Sequence, residues 1–462
     1  MMSAQWLSVL PPVVAIVVVL WRREVILALF LAVFTAEFLQ QSSLPGGFPM
    51  AGLATLERII SVFEDKDNAR ILIFSMIIGA LLAYIRQSGG VSAMVGSIIN
   101  RGIARNPRQA ALLTSGVGVA VFVESNLSVL TAGILSRGIF DRFGLSRAKL
   151  AYIIDSTSAP ICILILLNAW GAYVLALLGN YELEVSAAQV LWGTVPLNFY
   201  ALVTLVIVFA SAWTGKYFGP LARSEALMHD MHEDSQEDLQ IKKSHPAYML
   251  VPLLVMVGGM VAFMFWTGDG VMANGSGSRS VLYSVSLASL VAYLMMLASG
   301  NFSHIRLVKI GFEGMGELLP LVTIVLFSLA LGSSLKDLGT GLFIAGLVGE
   351  YLPLYLVVPM LFLAGALISF STGTSWGTFA ILIPIGVPLI QVFGLPPSLV
   401  LAAILGGGIF GDHCSPISDT TAVSAIASGC DLLEHVRTQL PYAMVAGVIT
   451  LLLYLVISLV YL

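Results

Sequence analysis

The chain has 462 residues, of which 58% are hydrophobic and only 10% are charged, with a formal net charge of −4. A mean hydropathy of +0.94 excludes a water-soluble fold, because so much apolar surface cannot be hidden in one core. Apolar runs long enough to cross about 30 Å of hydrocarbon recur along the chain, and α-helices satisfy their backbone polar groups within such runs. The sequence therefore predicts an all-α polytopic membrane protein.

The remaining composition narrows the class of protein further. Three scattered cysteines do not form the pattern of a disulfide framework or a CxxC metal site. No basic run suggests nucleic-acid binding, so we expect no nucleic-acid partner and a lipid bilayer as the surroundings.

The distribution of Lys and Arg predicts the orientation. The first apolar run, residues 6–20, ends on Arg22 and Arg23 and lacks a signal-peptide cleavage pattern, so we expect a retained helix. Basic residues also follow the third run, at residues 86–108, and occur in the polar loop 214–246, which marks these ends as cytoplasmic. Loops 179–189 and 267–280 carry almost none. Both termini are therefore predicted to lie outside.

Residues 109–140 are predicted to form a re-entrant helical hairpin. The run is apolar on both flanks, is interrupted at residues 124–128 (ESNLS), and is followed by further basic residues at 137–149. Both of its ends thus have cytoplasmic character. We expect the chain to dip to mid-membrane and turn at Ser125 and Asn126.

Residues 150–178 follow as a long apolar helix that is predicted to be broken. It contains DSTSAP, residues 155–160, and Pro160 removes a backbone donor and disfavours α geometry just before it. Unwound backbone at membrane depth is tolerated where it lines a cavity, and it can coordinate an ion. An intramembrane carboxylate costs roughly 2.5–3.5 kcal/mol, so Asp155 is a candidate for binding a cation or a proton.

The second half of the chain repeats these elements after a predicted cytoplasmic linker at residues 214–246. A second hairpin is predicted at 352–392 with a break at 371–375 (STGTS), and a second broken helix at 399–429, where Asp412 precedes Pro416. No Lys or Arg lies between Lys336 and Arg437, so this hairpin enters from the outside.

Residues 1–213 and 247–462 are accordingly predicted to be two inverted-topology repeats. Weak internal matches support the division. They pair Glu124–Ser128 with Ser371–Ser375, Phe143–Leu145 with Phe393–Leu395, and Asp155–Ile161 with Asp412–Ile417.

Oxygen-bearing side chains at these breaks form one predicted site. Ser, Thr, Asn and Asp supply the oxygen ligands that a hard cation such as Na⁺ requires. If Asp155 and Asp412 are buried close together, Na⁺ and a proton compete for the same oxygens, which is the chemistry of cation/proton antiport. The further candidate ligands are Ser125, Asn126, Ser128, Ser156, Ser158, Thr372, Thr374, Ser375, Ser415 and Asp419, with Glu124 and His413 as accessory residues.

Other interpretations remain open for these residues. Asp412 and Asp419 can be helix caps or hydrogen-bonding partners, and the hydroxyls at the hairpin tips can be caps. His413 can be a proton relay or a packed histidine. Residues 373–377 (GTSWG) match G-x-S-x-G, so an intramembrane serine hydrolase that uses Ser375 is a remote alternative. Asp412, His413 and Cys414 do not complete a four-ligand zinc site.

Residues 411–431 (GDHCSPISDTTAVSAIASGCD) resemble the signature segment of the NhaC-type Na⁺/H⁺ antiporters, of the ion-transporter superfamily. Residues 125–126 and 370–385 (FSTGTSWGTFAILIPI) fit the same family. The resemblance implies a transporter and not an enzyme, without a cofactor, in the bacterial inner membrane. It also implies inverted repeats, scaffold and elevator-type transport subdomains, and a homodimer. Together with the apolar runs and the Lys/Arg distribution, we expect about ten transmembrane helices plus two hairpins, with both termini periplasmic.

Sodium ions and protons are the substrates that this resemblance implies. Because some relatives carry organic acids or amino acids, a Na⁺- or H⁺-coupled carrier of such a solute is the alternative.

Overall fold

The computed structural model describes residues 6–22, 24–41, 47–90, 93, 104–122, 125–166, 168–179, 181, 183, 185–230, 244–271 and 275–461. The regular structure in these ranges is helical. Within these ranges the first α-helices with full bounds are α1 (Leu10–Arg22), α2 (Val25–Gln41), α3 (Gly47–Ser61) and α4 (Lys66–Gln87).

The described part of the first half continues with seven more α-helices. They are α5 (Pro107–Ala120), α6 (Ser125–Arg142), α7 (Arg147–Leu164), α8 (Ala169–Gly179), α9 (Ala187–Thr194), α10 (Phe199–Thr214) and α11 (Gly219–Asp230).

The second half contributes ten more helices to the described chain. They are α12 (Ala247–Thr267), α13 (Gly277–Ala298), α14 (His304–Glu317), α15 (Leu319–Asp337), α16 (Thr340–Tyr351), α17 (Leu354–Thr372), α18 (Ser375–Phe393), α19 (Pro397–Cys414), α20 (Asp419–Ser428) and α21 (Leu432–Tyr461).

Nine helical stretches of the described chain are long and apolar enough to cross a membrane. The prediction of an all-helical polytopic membrane protein is therefore confirmed. The nine are α4, residues 187–226 (α9 to α11), α12, α13, α15, α17, α18, α19 and α21.

The two predicted hairpins differ in the length of their arms. In the second, α17 and α18 each have 19 residues, and both are among the nine candidate spans. In the first, α5 has 14 residues and α6 has 18, and neither is among them. Each arm of the second hairpin is thus as long as a full crossing.

The helices around the candidate site occur in two series of the same order. A Phe-Gly-Leu corner precedes both α7 and α19, and its glycine ends the preceding helix in the left-handed conformation, at φ +62° for Gly144 and +64° for Gly394. Both α7 and α19 have 18 residues, and a shorter helix follows each of them. In this register Ser125 pairs with Ser375, and Cys162 pairs with Asp412.

The predicted match between the two aspartates is therefore wrong. Asp155 lies in the middle of α7, whereas Asp412 lies in the last turn of α19. The two Asp-to-Pro segments look alike in sequence, but they occupy different positions along their helices.

The expected unwinding at residues 155–160 is also wrong. The helix α7 is continuous from Arg147 to Leu164 with Pro160 inside it, and the chain leaves the helix at Ile165. A proline removes only one intrahelical hydrogen bond, and the neighbours packed around α7 keep it helical. In α19 the helix ends after Cys414, so Pro416 lies in the break itself.

Part of the predicted linker is a helix docked on α7. Within α11, Glu225 accepts a hydrogen bond from the backbone N–H of Ser146 at 2.7 Å and pairs with Lys149 Nζ at 3.1 Å. Ser146 is also the N-cap of α7. The linker prediction thus misses the helix α11, which is docked against the start of α7. Residues 231–243 lie outside the described ranges.

Several helix pairs join the two halves, among them α4 with α13 and α14, and α2 with α15; near Asp412 the contact is made by the short helix α20. It packs against α6 and α7 of the first half, and α21 packs against α7, α10, α17 and α19. The breaks that flank Asp412 are therefore enclosed by helices of both halves.

Candidate cation and proton site

Asp412 lies at the centre of a buried hydroxyl-lined break. Its side chain is 2% exposed. One carboxylate oxygen accepts a hydrogen bond from Ser375 Oγ at 2.9 Å, and the other accepts from Ser418 Oγ at 2.6 Å. The aspartate thus joins the start of α18 to the gap between α19 and α20.

Short polar contacts also fix the segment between α19 and α20. Ser415, the first residue after α19, donates from its hydroxyl to the carbonyl of Phe370 at 2.7 Å. Ser418 caps α20 and lies 3.0 Å from the Thr420 hydroxyl. The helices α19 and α20 therefore present a carboxylate and several hydroxyls to one small volume.

Close approach of α17 and α19 brings Asp412 to the hairpin tip. A Cβ added to Gly411 would lie 2.2 Å from the carbonyl oxygen of Ala366. Gly373 turns the chain from α17 into α18 at φ +67°, and a Cβ there would lie 2.5 Å from the carbonyl oxygen of Ile417. Small residues at these two points let the backbones meet around the carboxylate.

Asp419 and Asn126 lie at the open side of this site. Asp419 is exposed and is the first residue of α20, where its carboxylate accepts from the Thr420 N–H at 2.8 Å. The Asn126 side chain of α6 lies near Asp419. These two residues connect the first hairpin to the second broken helix.

Asp155 lies in a second buried cluster that contains nitrogen donors. It is fully buried, and its Oδ2 accepts a hydrogen bond from Gln439 Nε2 at 2.6 Å. His435 Nε2 is 3.3 Å from the same oxygen, although the contact is not aligned as a hydrogen bond. Both partners project from α21, one turn apart.

His413 links the two clusters. Its carbonyl accepts from Gln439 Nε2 at 3.0 Å, and its ring Nδ1 lies 3.1 Å from the Tyr200 hydroxyl. Asp412 directly precedes His413, so the Gln439 amide joins Asp155 to the backbone beside Asp412. A cavity of about 10 Å³ beside His413 has room for roughly one water.

Several buried polar atoms around these clusters have no hydrogen-bond partner in the described chain. Buried polar groups are nearly always paired, so a cluster of unpaired ones indicates a place for an ion or water. They are Asp155 Oδ1, His413 Nε2, both ring nitrogens of His435, Gln439 Oε1, Thr421 Oγ1 and Ser424 Oγ.

The other candidate residues make local contacts. Ser128 donates to the Gly118 carbonyl at 2.8 Å, and Ser158 donates to the Asp155 carbonyl at 3.1 Å. Ser125 begins α6 and is buried, and Ser156 lines the small cavity.

At the second tip, the Thr372 hydroxyl accepts from the Thr374 N–H at 3.3 Å, and Thr374 is the N-cap of α18. These two threonines therefore shape the turn. Glu124 lies outside the described residues.

The sequence interpretation missed Ser418, Tyr200, His435 and Gln439. In retrospect, polar residues at 435, 439 and 442 share one face of an otherwise apolar helix. That spacing could have found the α21 contribution, whereas no sequence pattern identifies Tyr200.

The serine hydrolase alternative has no supporting geometry in the described residues. Ser375 donates to Asp412 rather than to a histidine, and it begins a helix that follows another helix. A nucleophile elbow requires a strand before the turn and a base beside the serine.

The sequence of this chain is similar to those of known antiporters. A model described as the Na⁺/H⁺ antiporter family matches residues 150–459. An uncharacterized protein of Haemophilus influenzae is 29% identical over 99% of this chain and 92% of its own length. A malate-2H⁺/Na⁺-lactate antiporter of Bacillus subtilis is 40% identical over 24% of this chain and 25% of its own length.

A solved structure shares the fold. The YdaH transporter of Alcanivorax borkumensis superposes with a TM-score of 0.60 at 14% identity, over 89% of each chain.

Proposed function

The chain belongs to the Na⁺/H⁺ antiporter family, as its sequence resemblance predicted, and we propose that this secondary transporter exchanges Na⁺ for protons across a bacterial inner membrane. The observation that carries the proposal is Asp412, a buried carboxylate at a helix break whose two oxygens accept hydrogen bonds from the Ser375 and Ser418 hydroxyls. Family membership makes an enzymatic activity unnecessary to explain the site.

Na⁺ is proposed to bind at Asp412. The cation requires oxygen ligands, and a serine hydroxyl such as that of Ser375 or Ser418 carries two lone pairs besides the proton that it donates. When Na⁺ replaces the two hydroxyl protons in contact with the carboxylate, the hydroxyls can rotate and present lone pairs. The open helix end after Cys414 adds carbonyl groups near the same point.

The proton is proposed to bind at Asp155. Gln439 presents its amide nitrogen there, because that nitrogen lies between two acceptors, Asp155 Oδ2 and the carbonyl of His413. N–H groups repel a cation but tolerate a protonated carboxyl group. The unpaired Asp155 Oδ1 and the ring nitrogens of His435 offer positions for the proton.

Exchange follows from the coupling of the two sites. Positive charge at Asp412 makes a proton at Asp155 less favourable, and a proton at Asp155 weakens Na⁺ binding to the same degree. Gln439 and the His413 backbone connect the carboxylates. Na⁺ entry into the site therefore drives proton release.

Alternating access is proposed to involve two inverted repeats, residues 1–213 and 247–462. The equal lengths of α7 and α19 and their Phe-Gly-Leu corners support this division, as does the opposite distribution of basic residues. In this proposal the hairpins and broken helices move elevator-fashion against a scaffold, in a homodimer whose termini are periplasmic.

A second candidate function is cotransport or exchange of a small organic acid. It is favoured by the relative whose name gives malate and lactate as solutes. In that case the cation site at Asp412 would couple to a solute site elsewhere in the chain.

Reconstituted protein tests the proposal through two exchange modes. In proteoliposomes without organic solute, the wild type should dissipate a pH gradient on addition of Na⁺ and should also exchange ²²Na⁺ for Na⁺. Asp412→Asn should lose both modes by at least a hundredfold. Asp155→Asn should lose proton exchange but keep ²²Na⁺/Na⁺ exchange, because its Na⁺ ligands remain.

Asp269→Asn is the matched control. Asp269 is exposed in a turn at φ +51°, which Asn adopts readily, so both modes should be unchanged. Loss of ²²Na⁺/Na⁺ exchange in folded Asp155→Asn would contradict separate sites. A wild type that responds only when malate or lactate is present would favour the second candidate.

A further inference from the structure

A cavity of about 300 Å³ lies where the end of α15, the start of α16 and the later part of α18 meet. It is distinct from the ion site. The helix α18 begins at Ser375 beside Asp412, and Gln391, which lines the cavity, lies about 24 Å further along it at 1.5 Å per residue. Its volume is at the lower end of the range for small-molecule sites.

Lys336 supplies a positive charge to this cavity. It is exposed, and none of the carboxylates in the described ranges forms an ion pair with it. The neighbouring Asp337 pairs instead with Arg58 at 2.7 Å.

The residue at the corresponding end of α4 shows the contrast. Arg86 precedes a left-handed glycine, Gly89, just as Lys336 precedes Gly339. Arg86 is paired with both oxygens of Glu317, at 2.6 and 2.7 Å. Among the described carboxylates, none pairs with the Lys336 ammonium group in this way.

The start of α16 faces the same cavity. Gly339 caps this 12-residue helix without a side-chain hydrogen bond, so its first amide groups are not capped by a side chain. Gly341 lets this backbone approach α18, because a Cβ there would lie 2.2 Å from Pro388 Cγ. Uncapped amides and the helix dipole favour an anion at this position.

Tyr181 gives an independent indication of a ligand. Its backbone N–H bonds to the Leu178 carbonyl at 3.0 Å, which fixes the residue at the cavity wall. Its hydroxyl oxygen is buried and has no hydrogen-bond partner in the described chain. Tyr181 as a whole is partly exposed, and a phenol hydroxyl that lines a cavity without a partner is a donor available to a bound molecule.

We propose that this cavity binds a small organic carboxylate. The carboxylate group accepts from the Lys336 ammonium, the Tyr181 hydroxyl and the first amides of α16. The carbon skeleton lies against Leu335, Leu342 and Pro384. This site is separate from the proposed Na⁺ and proton sites and does not depend on their assignment.

Calorimetric titration of the full-length protein in phosphatidylcholine nanodiscs tests the proposal. Succinate, L-malate and L-lactate are titrated separately, with succinamide as the neutral counterpart. At least one carboxylate should bind saturably, and succinamide should not bind. Lys336→Gln should weaken binding at least tenfold, and Tyr181→Phe should weaken it several-fold.

Lys309→Gln is the matched control, because Lys309 is 75% exposed on α14 and pairs only weakly with Glu313 at 3.8 Å. It should bind like the wild type. Absence of binding by all three carboxylates, or equal binding by Lys336→Gln, would overturn the proposal. If only phosphatidylglycerol stabilised the protein, and Lys336→Gln lost that stabilisation, the cavity would be assigned to a lipid phosphate. This result would also overturn the carboxylate proposal.

The ion site is checked in the same preparations. Asp412→Asn should still bind the carboxylate, since Asp412 does not line the cavity. Binding that is lost in Asp412→Asn but kept in Lys336→Gln would place the solute at the ion site and contradict a separate cavity site. The titration measures binding and not transport, so its result stands even if the protein does not exchange Na⁺ for protons.

Discussion

Gln439 donates a hydrogen bond to Asp155 across the boundary between the two halves of the chain, at 2.6 Å. The same amide nitrogen reaches the carbonyl of His413 at 3.0 Å. One side chain of α21 thus holds a carboxylate of α7 and the backbone next to Asp412. A change in the protonation of Asp155 therefore alters a hydrogen bond to the residue next to Asp412, the proposed Na⁺ ligand.

Replacing Gln439 with Glu should move the pH dependence of exchange to more alkaline values. A second carboxylate beside Asp155 favours a bound proton, so a lower proton concentration is needed to release it. We expect the pH of half-maximal Na⁺-dependent exchange to rise by about one unit or more. The pH profile of proteoliposome fluorescence measures this shift.

Gln189→Glu provides the control for an added carboxylate. Gln189 belongs to the capping box of α9, a role that Glu also fills, so the profile should stay in place. A Gln439→Glu profile that coincides with the wild type would contradict proton binding at Asp155.

Removing the Ser375 hydroxyl should weaken Na⁺ binding without abolishing exchange. Ser375→Ala takes away one of the two hydroxyls on Asp412, and loss of one ligand is expected to raise the KM for Na⁺ about tenfold, or about 1.4 kcal/mol. The maximal rate and its pH dependence should change little. Initial rates over a range of Na⁺ concentrations measure both parameters.

Ser371→Ala is the neighbouring control at the same hairpin. Its hydroxyl bonds within α17 to the Leu367 carbonyl at 2.8 Å, so the KM should be unaffected. Equal effects of the two substitutions would mean that the tip responds to general loosening and that Ser375 is no ligand.

The sequence identified two residues of the proposed cation site, Asp412 and Ser375, but not the arrangement of the site as a whole. The sequence predicts Asp412 and Ser375 as site residues because one is a carboxylate beside Pro416 and the other a hydroxyl at a hairpin tip. Such groups cost free energy in a membrane unless they face a partner, water or a bound ion. Their direct contact at 2.9 Å brings the two predicted breaks together.

The relation of Asp155 to Asp412 could not be read from the sequence. Both precede a proline, and proline looks like a break in either case, whereas α7 stays helical through Pro160. Whether a proline unwinds a helix depends on the neighbours packed around it. The Phe-Gly-Leu corners were the better guide to register, because left-handed glycines fix where helices begin and end.

Arg137 is expected to stabilise α20 from its carboxyl end. Its guanidinium donates to the carbonyls of Ala427, at 2.7 Å, and Ile426, where a positive charge complements the helix dipole. Arg137→Gln should lower stability by about 1–3 kcal/mol and raise the KM for Na⁺, since α20 carries Asp419 at its other end and is capped by Ser418. Thermal unfolding in detergent and Na⁺ kinetics measure the two effects.

Arg142→Gln, near the end of the same helix α6, separates this role from loss of charge. Arg142 is exposed and stacks over Phe143, so its removal should leave both quantities near the wild-type values. If Arg137→Gln unfolds like Arg142→Gln and keeps the wild-type KM, the arginine does not hold α20.

Gly411→Ala should disrupt the site through backbone separation alone. The added Cβ would lie 2.2 Å from the Ala366 carbonyl oxygen and 2.6 Å from the Phe370 nitrogen, both of them backbone atoms of α17 that cannot rotate away. The helices α17 and α19 must then move apart, which draws Asp412 away from Ser375 and lowers both Na⁺ affinity and stability, the latter by roughly 1–3 kcal/mol. Unfolding temperature and ²²Na⁺/Na⁺ exchange measure the two losses.

Gly258→Ala on α12 makes the same chemical change where no atom lies within 4 Å, so its stability should be equal or slightly higher because Ala favours a helix. A Gly411→Ala protein that matches Gly258→Ala in both measurements would show that close contact between α17 and α19 is not what positions the carboxylate.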